Sequence, residues 1–221
     1  MALIKHLKLD DNAASTTVVA TVGTNGTLEG GDNTSAKSVA GPGGIITLGF
    51  DLNGVDDAII ISGVTFINGD AFSVSFWAEW DLAIGRPLGE TGGLINRILK
   101  VDDTTIRVTN GAGVSSDFTV ASMGTSNWCH ILITRTSGNS MRVFLNGVES
   151  STGALTRDGA FVPTRIGRQT ANYHDGKLAQ FKIFDTDESA NVAALYAEGI
   201  TVAGGGRIVN SGVSGSPILS A

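Results

Sequence analysis

The chain reads as an all-β protein, an antiparallel β-sandwich with one short C-terminal helix, on three observations. Segment after segment alternates apolar with polar side chains, the period of a strand with one buried face. These segments stop at Gly, Asn, Asp or Ser, and 221 residues include 30 glycines with only 16% charged residues, a composition that favours many turns and short strands. Helical spacing appears convincingly in one place, near the C-terminus.

Taken in order, the N-terminal "MALIKHLKLDDN" opens on a strand, and "GGIITLGFDL" from Gly43 and "DAIIIS" from Asp57 follow. "FSVSFWAEW" is the clearest core strand: Phe72, Val74, Phe76, Ala78 and Trp80 project to one side, Ser73, Ser75, Trp77 and Glu79 to the other. "GLINRILKVDD" from Gly93, "TTIRVTNG" from Thr104 and "SDFTVASM" from Ser116 alternate in the same way. Residues 128–135 and "MRVFLNGV" from Met141 form a hairpin through the turn residues "TSGNS", and Asn146-Gly147 supplies a second tight turn. "KLAQFKIFD" from Lys177 is the last strand. In "ESANVAALYAEG", Val192, Leu195 and Tyr196 make an apolar helical stripe, with Asp187 or Ser189 to cap it and Gly199 to end it. One sandwich over residues 1–199 therefore precedes a Gly/Ser-rich segment, 200–221. That segment is a flexible end or an arm whose Ile208, Val209, Val213, Ile218 and Leu219 dock on a neighbouring subunit.

Charge narrows the partners. A net charge of −6 without any Lys/Arg cluster argues against nucleic acid, and no window is apolar enough for a membrane span. Lys5, His6 and Lys8 interrupt the apolar N-terminus, so no export signal is expected. A single cysteine excludes an internal disulfide. That cysteine sits beside a histidine in "NWCHILITR", which invites a nucleophile–base reading. Strand geometry opposes it: Cys129 projects with Ile131 and Ile133, while His130 projects with Leu132 and Thr134 onto a face read as solvated. Cys129 is expected to be packing.

Several pieces, in one order, carry a family likeness over residues 7 to about 199. They are "LKLDDNAASTTVVATVGTNGTLEGG", "LGFDLNGVDDAIII", "FSVSFWAEWD", "NWCHILITR", "VFLNGV", "RIGR" and "DGKLAQFKIFDTDESANVAALYAEG". Together they resemble the concanavalin-A-like, laminin-G-like jelly-roll family. The resemblance implies a sandwich; it says little about function, because one fold hosts many activities.

Hydrolases in that family resemblance carry two carboxyls about 5 to 10 Å apart on one strand. Here Glu79 and Asp81 share a face, but Ile84 stands where the next glutamate would fall, and Glu79 reads as a solvated residue. His174 and Arg168 lack a spacing that supports a lyase. No catalytic residue is expected. The resemblance also implies calcium in some members; Asp56 and Asp57 match an acidic pair, yet Ala179-Gln180 replaces the acidic pair near the last strand, so no cofactor is expected. For glycan, the candidate contacts are Asn172, Tyr173, His174 and Asp175, read as a loop, with Trp80 second. Three classes follow. The first is a non-catalytic structural or adhesive protein of a virion surface, made in the host cytoplasm. It would bind a capsid or other virion protein, form a homo-oligomer, and take a cell-surface glycan. The second is a carbohydrate-binding module of an extracellular protein, and the third a polysaccharide-active enzyme.

Overall fold

The computed structural model describes residues 2–200. Two antiparallel sheets face each other across one apolar interior, as the alternation requires. The larger sheet runs Val148–Glu149, Ser140–Leu145, Cys129–Arg135, Phe72–Trp80, Asp175–Phe184, Leu3–Leu7 and Ala20–Val22. A bulge divides the long Asp175–Phe184 strand at Gln180, whose φ is 51°. Before the bulge the strand pairs with Ile46–Asn53, which in turn pairs with Ser38–Gly43; after it, with Leu3–Leu7.

The smaller sheet runs Ser115–Thr119, Thr105–Thr109, Arg97–Asp102, Gly85–Gly89, Arg165–Ile166, Ala58–Ile60, Gly26–Glu29 and Thr17–Val18. Gly85–Gly89 is a strand that alternation misses, because its "GRPLG" has no apolar period and holds Pro87. A register shift opposite Pro87 accommodates the residue that cannot donate to the ladder.

Inward-facing residues of both sheets make the main core. In it Phe72 stacks between Phe66 and Phe161 at 4.8 and 5.1 Å, and Phe76 stacks on Phe181 at 5.1 Å. The Asn146-Gly147 turn holds in detail: the two residues take φ of 50° and 82° between paired Leu145 and Val148.

The helix is Val192–Ala197, entered through a single 3-10 turn at Ser189–Asn191. Asp187 accepts the Ser189 N–H at 3.0 Å, but the capping position is Asn191, without a side-chain cap. A one-turn helix, Thr34–Lys37, adds to the expected elements, capped by Asn33. Residues 201–221, including Ile208, Val209, Val213, Ile218 and Leu219, lie outside the described residues.

The outer face of the larger sheet, read as solvated at His130 and Glu79, is covered by the helix. Leu195 packs on Leu132, Phe144 and Phe184, and Tyr196 with Ile200 packs on Ile46, Trp77 and Ala179. Phe72–Trp80 is buried at all nine positions, on both faces. Alternation assigns residues to faces; it does not say what lies on them.

Candidate functional site

The cysteine and histidine point apart. Cys129 packs in the main core with Ile131 and Ile133, and its thiol donates to the Met123 carbonyl at 3.3 Å. Burial pushes that thiol up to about 11, far from a reactive thiolate. His130 lies on the opposite face and is not solvated: its exposure is 0%. Its Nε2 is 2.9 Å from Ser75 Oγ, its ring is 5.3 Å from that of Trp77, and burial holds the imidazole down to about 3. The helix packed over the sheet is the cause.

Glu79 is likewise corrected. It is 8% exposed and ion-paired to Lys177, its cross-strand partner. Asp81 and Ile84 are exposed beyond it. The Glu79 carboxylate is therefore engaged and largely buried rather than facing solvent.

The acidic pair at 56 and 57 also splits. Asp57 is fully buried, and its Oδ2 accepts from Lys37 Nζ at 2.6 Å and from the Asn53 N–H at 2.9 Å. Asp56 is exposed and accepts from Asn53 Nδ2 at 2.8 Å. One oxygen, Asp57 Oδ1, is buried without a partner, but the adjoining ammonium repels a divalent ion. Among the described residues no three His, Cys, Asp or Glu groups come together as metal ligands. These donors do not fit calcium.

Of the glycan candidates, Trp80 and His174 fall inside. Trp80 is 1% exposed; its ring meets His174 edge-on at 5.2 Å and the Lys100 ammonium at 5.4 Å. His174 is 0% exposed, accepts from the Arg86 N–H at 3.3 Å through Nδ1, and is held at about 3 by burial. Neither offers a face to a sugar. The segment is not a loop but a small hairpin, Arg168–Gln169 against Asn172–Tyr173, followed at once by the long strand from Asp175. Asn172 is exposed; Tyr173 and Asp175 are half-buried, and the Arg168 guanidinium lies 4.9 Å over the Tyr173 ring.

That hairpin crosses the outer face of the smaller sheet at Gly89. A Cβ there would come within 2.7 Å of the Arg168 carbonyl, so only glycine lets the hairpin so close. Gln169 thereby reaches Arg97, which donates from Nη1 to Gln169 Oε1 and from Nε to Thr109 Oγ1, both at 3.0 Å. Because Arg97 fixes the amide, Gln169 Nε2 is left a buried donor with no acceptor among the described residues. Arg86, across the register shift from Leu99, has a buried Nε that is also unpartnered. Arg107, opposite Leu99, is paired to Asp117 at 2.6 and 2.7 Å. Arg86 and Arg97 form no ion pair with any described residue. Burial lowers both, and for Arg97 the neighbouring Arg107 and Arg86 charges lower it further. The sequence reading passed over these residues. Their only signal is Arg97 in "RILKV" and Arg107 in "TIRVT" on the outward parity of their strands, and the hairpin that brings Gln169 to Arg97 is not visible in alternation.

Comparison with known proteins bears on the fold. Residues 53–192 match the family model described as the Concanavalin A-like lectin/glucanases superfamily. No curated protein sequence matches the chain. Among solved structures it is similar to domain 4 of AbnA, a GH43 extracellular arabinanase from Geobacillus stearothermophilus, in complex with arabinotriose. Identity there is 18%, over 88% of this chain and 98% of that one, with a TM-score of 0.55. It is similar to Trypanosoma rangeli sialidase in complex with the inhibitor DANA, at 13% identity over 88% of this chain and 32% of the sialidase, TM-score 0.59. The receptor binding domain of botulinum neurotoxin C/D mosaic serotype matches at 18% identity over 88% of this chain and 51% of that one, TM-score 0.59. The chain thus spans about a third of the sialidase and half of the toxin domain. At such identities the likeness is one of fold. Family match and two-layered architecture agree, and the chain belongs to the concanavalin A-like lectin/glucanase superfamily as a laminin-G-like jelly-roll domain.

Proposed function

We propose that this domain is a non-catalytic adhesion module that binds glycan and is displayed on a particle surface such as a phage virion. The observation that carries the reading is the state of Glu79, locked to Lys177 on a covered face. Most glycoside hydrolases use two carboxyls that face the sugar. The structural match to the arabinanase domain, solved with arabinotriose and covered over 98% of its length, supports glycan binding. Affinity electrophoresis through gels containing a polysaccharide panel tests it, with reducing ends and unsaturated products assayed on the same panel. Retarded migration without product is expected. Product release overturns the non-catalytic reading, and unretarded migration in every gel overturns the binding one.

The virion placement extends to the residues beyond Ile200. An arm carrying Ile208, Val209, Val213, Ile218 and Leu219 docks onto a second copy or a capsid lattice. Gly199 and Ile200 already pack against Trp77, so the informative deletion begins at residue 201. The shortened chain is expected to keep its melting temperature and to lose self-association by sedimentation. Equal association of both chains contradicts the arm.

A further inference from the structure

We infer that Arg86, Arg97 and the Gln169 amide form a subsite for the carboxylate of an acidic sugar residue on the open face of the smaller sheet. The inference rests on the glycan-binding reading and names the class of glycan. Three features converge. Gln169 is 3% exposed, and its Nε2 has no acceptor while its Oε1 is held by Arg97. Arg97 spends Nε and Nη1 on Thr109 and Gln169, and Nη2 makes neither bond. Arg86 is a second half-buried guanidinium without a carboxylate, its Nε buried and unpartnered.

Gln169 Nε2 and Arg86 Nε thus have no acceptor among the described residues, and no described carboxylate pairs with the Arg86 or Arg97 charge. A planar carboxylate supplies two acceptor oxygens and the missing charge, and it matches the fork of a guanidinium. Arg107 does not belong to the subsite, because Asp117 already takes it in two bonds. Between Arg86 and Arg107 the half-buried Leu99 gives an apolar floor on which the body of a sugar ring can lie.

The test is affinity electrophoresis and calorimetric titration of the full chain with uronate polymers (polygalacturonate, alginate and a glucuronate-containing polymer). Their methyl esters, neutral polysaccharides and a sulfated polysaccharide run alongside. At least one uronate is expected to bind, with roughly tenfold or greater loss on esterification. A loss of similar size is expected in Arg97→Gln and in Arg86→Gln. The esterification arm uses the unaltered protein, so it decides the matter even where a variant folds poorly. Equal affinity for acid and ester overturns the inference while the glycan-binding reading stands. Uronate binding unchanged in both variants overturns the placement, and preference for the sulfated polymer overturns the carboxylate. Binding to no polysaccharide at all removes both readings together.

Discussion

The two outer faces of the sandwich differ in what covers them. On the larger sheet, Trp77, His130, Ser75 and Glu79 are all under 10% exposed beneath or beside the C-terminal helix, and Lys182 is tied to Glu198 at 2.5 and 2.6 Å. On the smaller sheet, Arg97, Leu99 and Arg107 keep part of their surface in water, and Arg86 and Arg97 have no counter-charge among the described residues. The covered face has unmatched atoms of its own, His130 Nδ1 and Thr134 Oγ1, but they belong to uncharged side chains closed off by packing. An open face with donors unmatched is where a ligand gains most, because the cost of the unmatched groups is already present in the free protein.

Substitutions sharpen the contrast. The largest effect is expected where the chain closes over Trp77. A Cβ on Gly199 would sit 2.3 Å from the Trp77 ring, and Trp77→Ala would empty a buried indole site. Denaturant titration should show a loss of about 3–5 kcal/mol for Trp77→Ala and of about 1–3 kcal/mol for Gly199→Val.

Acid comes next. His130 and His174 are neutral in the folded protein down to about 3, whereas in the unfolded chain they take a proton near 6.5. The unfolded state therefore binds protons first as pH falls, so this stability is complete above about 6.5 and is lost progressively below it. Between pH 6.5 and 5, above the ordinary carboxylate range, each histidine is expected to cost on the order of 1 kcal/mol per pH unit. His174→Phe and His130→Gln should flatten the slope even if each lowers stability at pH 7. A slope that neither variant alters would show that other groups set it.

Smaller again is the helix tether. Glu198→Gln leaves the Lys182 ammonium without its bidentate partner, and a loss of about 1–2 kcal/mol in thermal unfolding is expected. The smallest belongs to the open face: Arg107→Ala breaks an exposed pair with Asp117 and should change stability by less than about 1 kcal/mol.

What was legible in the sequence follows the same division. Alternation placed Cys129 with Ile131 and Ile133, and the Asn146-Gly147 turn needed only local backbone preference. It failed for His130 and Glu79, whose face was assigned correctly but whose cover, the helix at Val192–Ala197, comes from the far end of the chain. Trp80 shares the parity of the core strand and went where parity sends it, into the interior. His174 follows a hairpin two residues wide, too short for any periodic signal. Gln169 reaches Arg97 only because Gly89 lets that hairpin lie on the sheet, a close approach between segments about 80 residues apart.

The most direct measurement is chemical-shift mapping of the isotopically labelled protein with a uronate oligosaccharide. Perturbations concentrated at Arg86, Arg97, Leu99 and Gln169, with Trp77, His130 and Tyr196 unmoved, are what this account predicts. Perturbations centred on the helix-covered face around Trp77, or on the rim at Asn53 to Asp57, would contradict it.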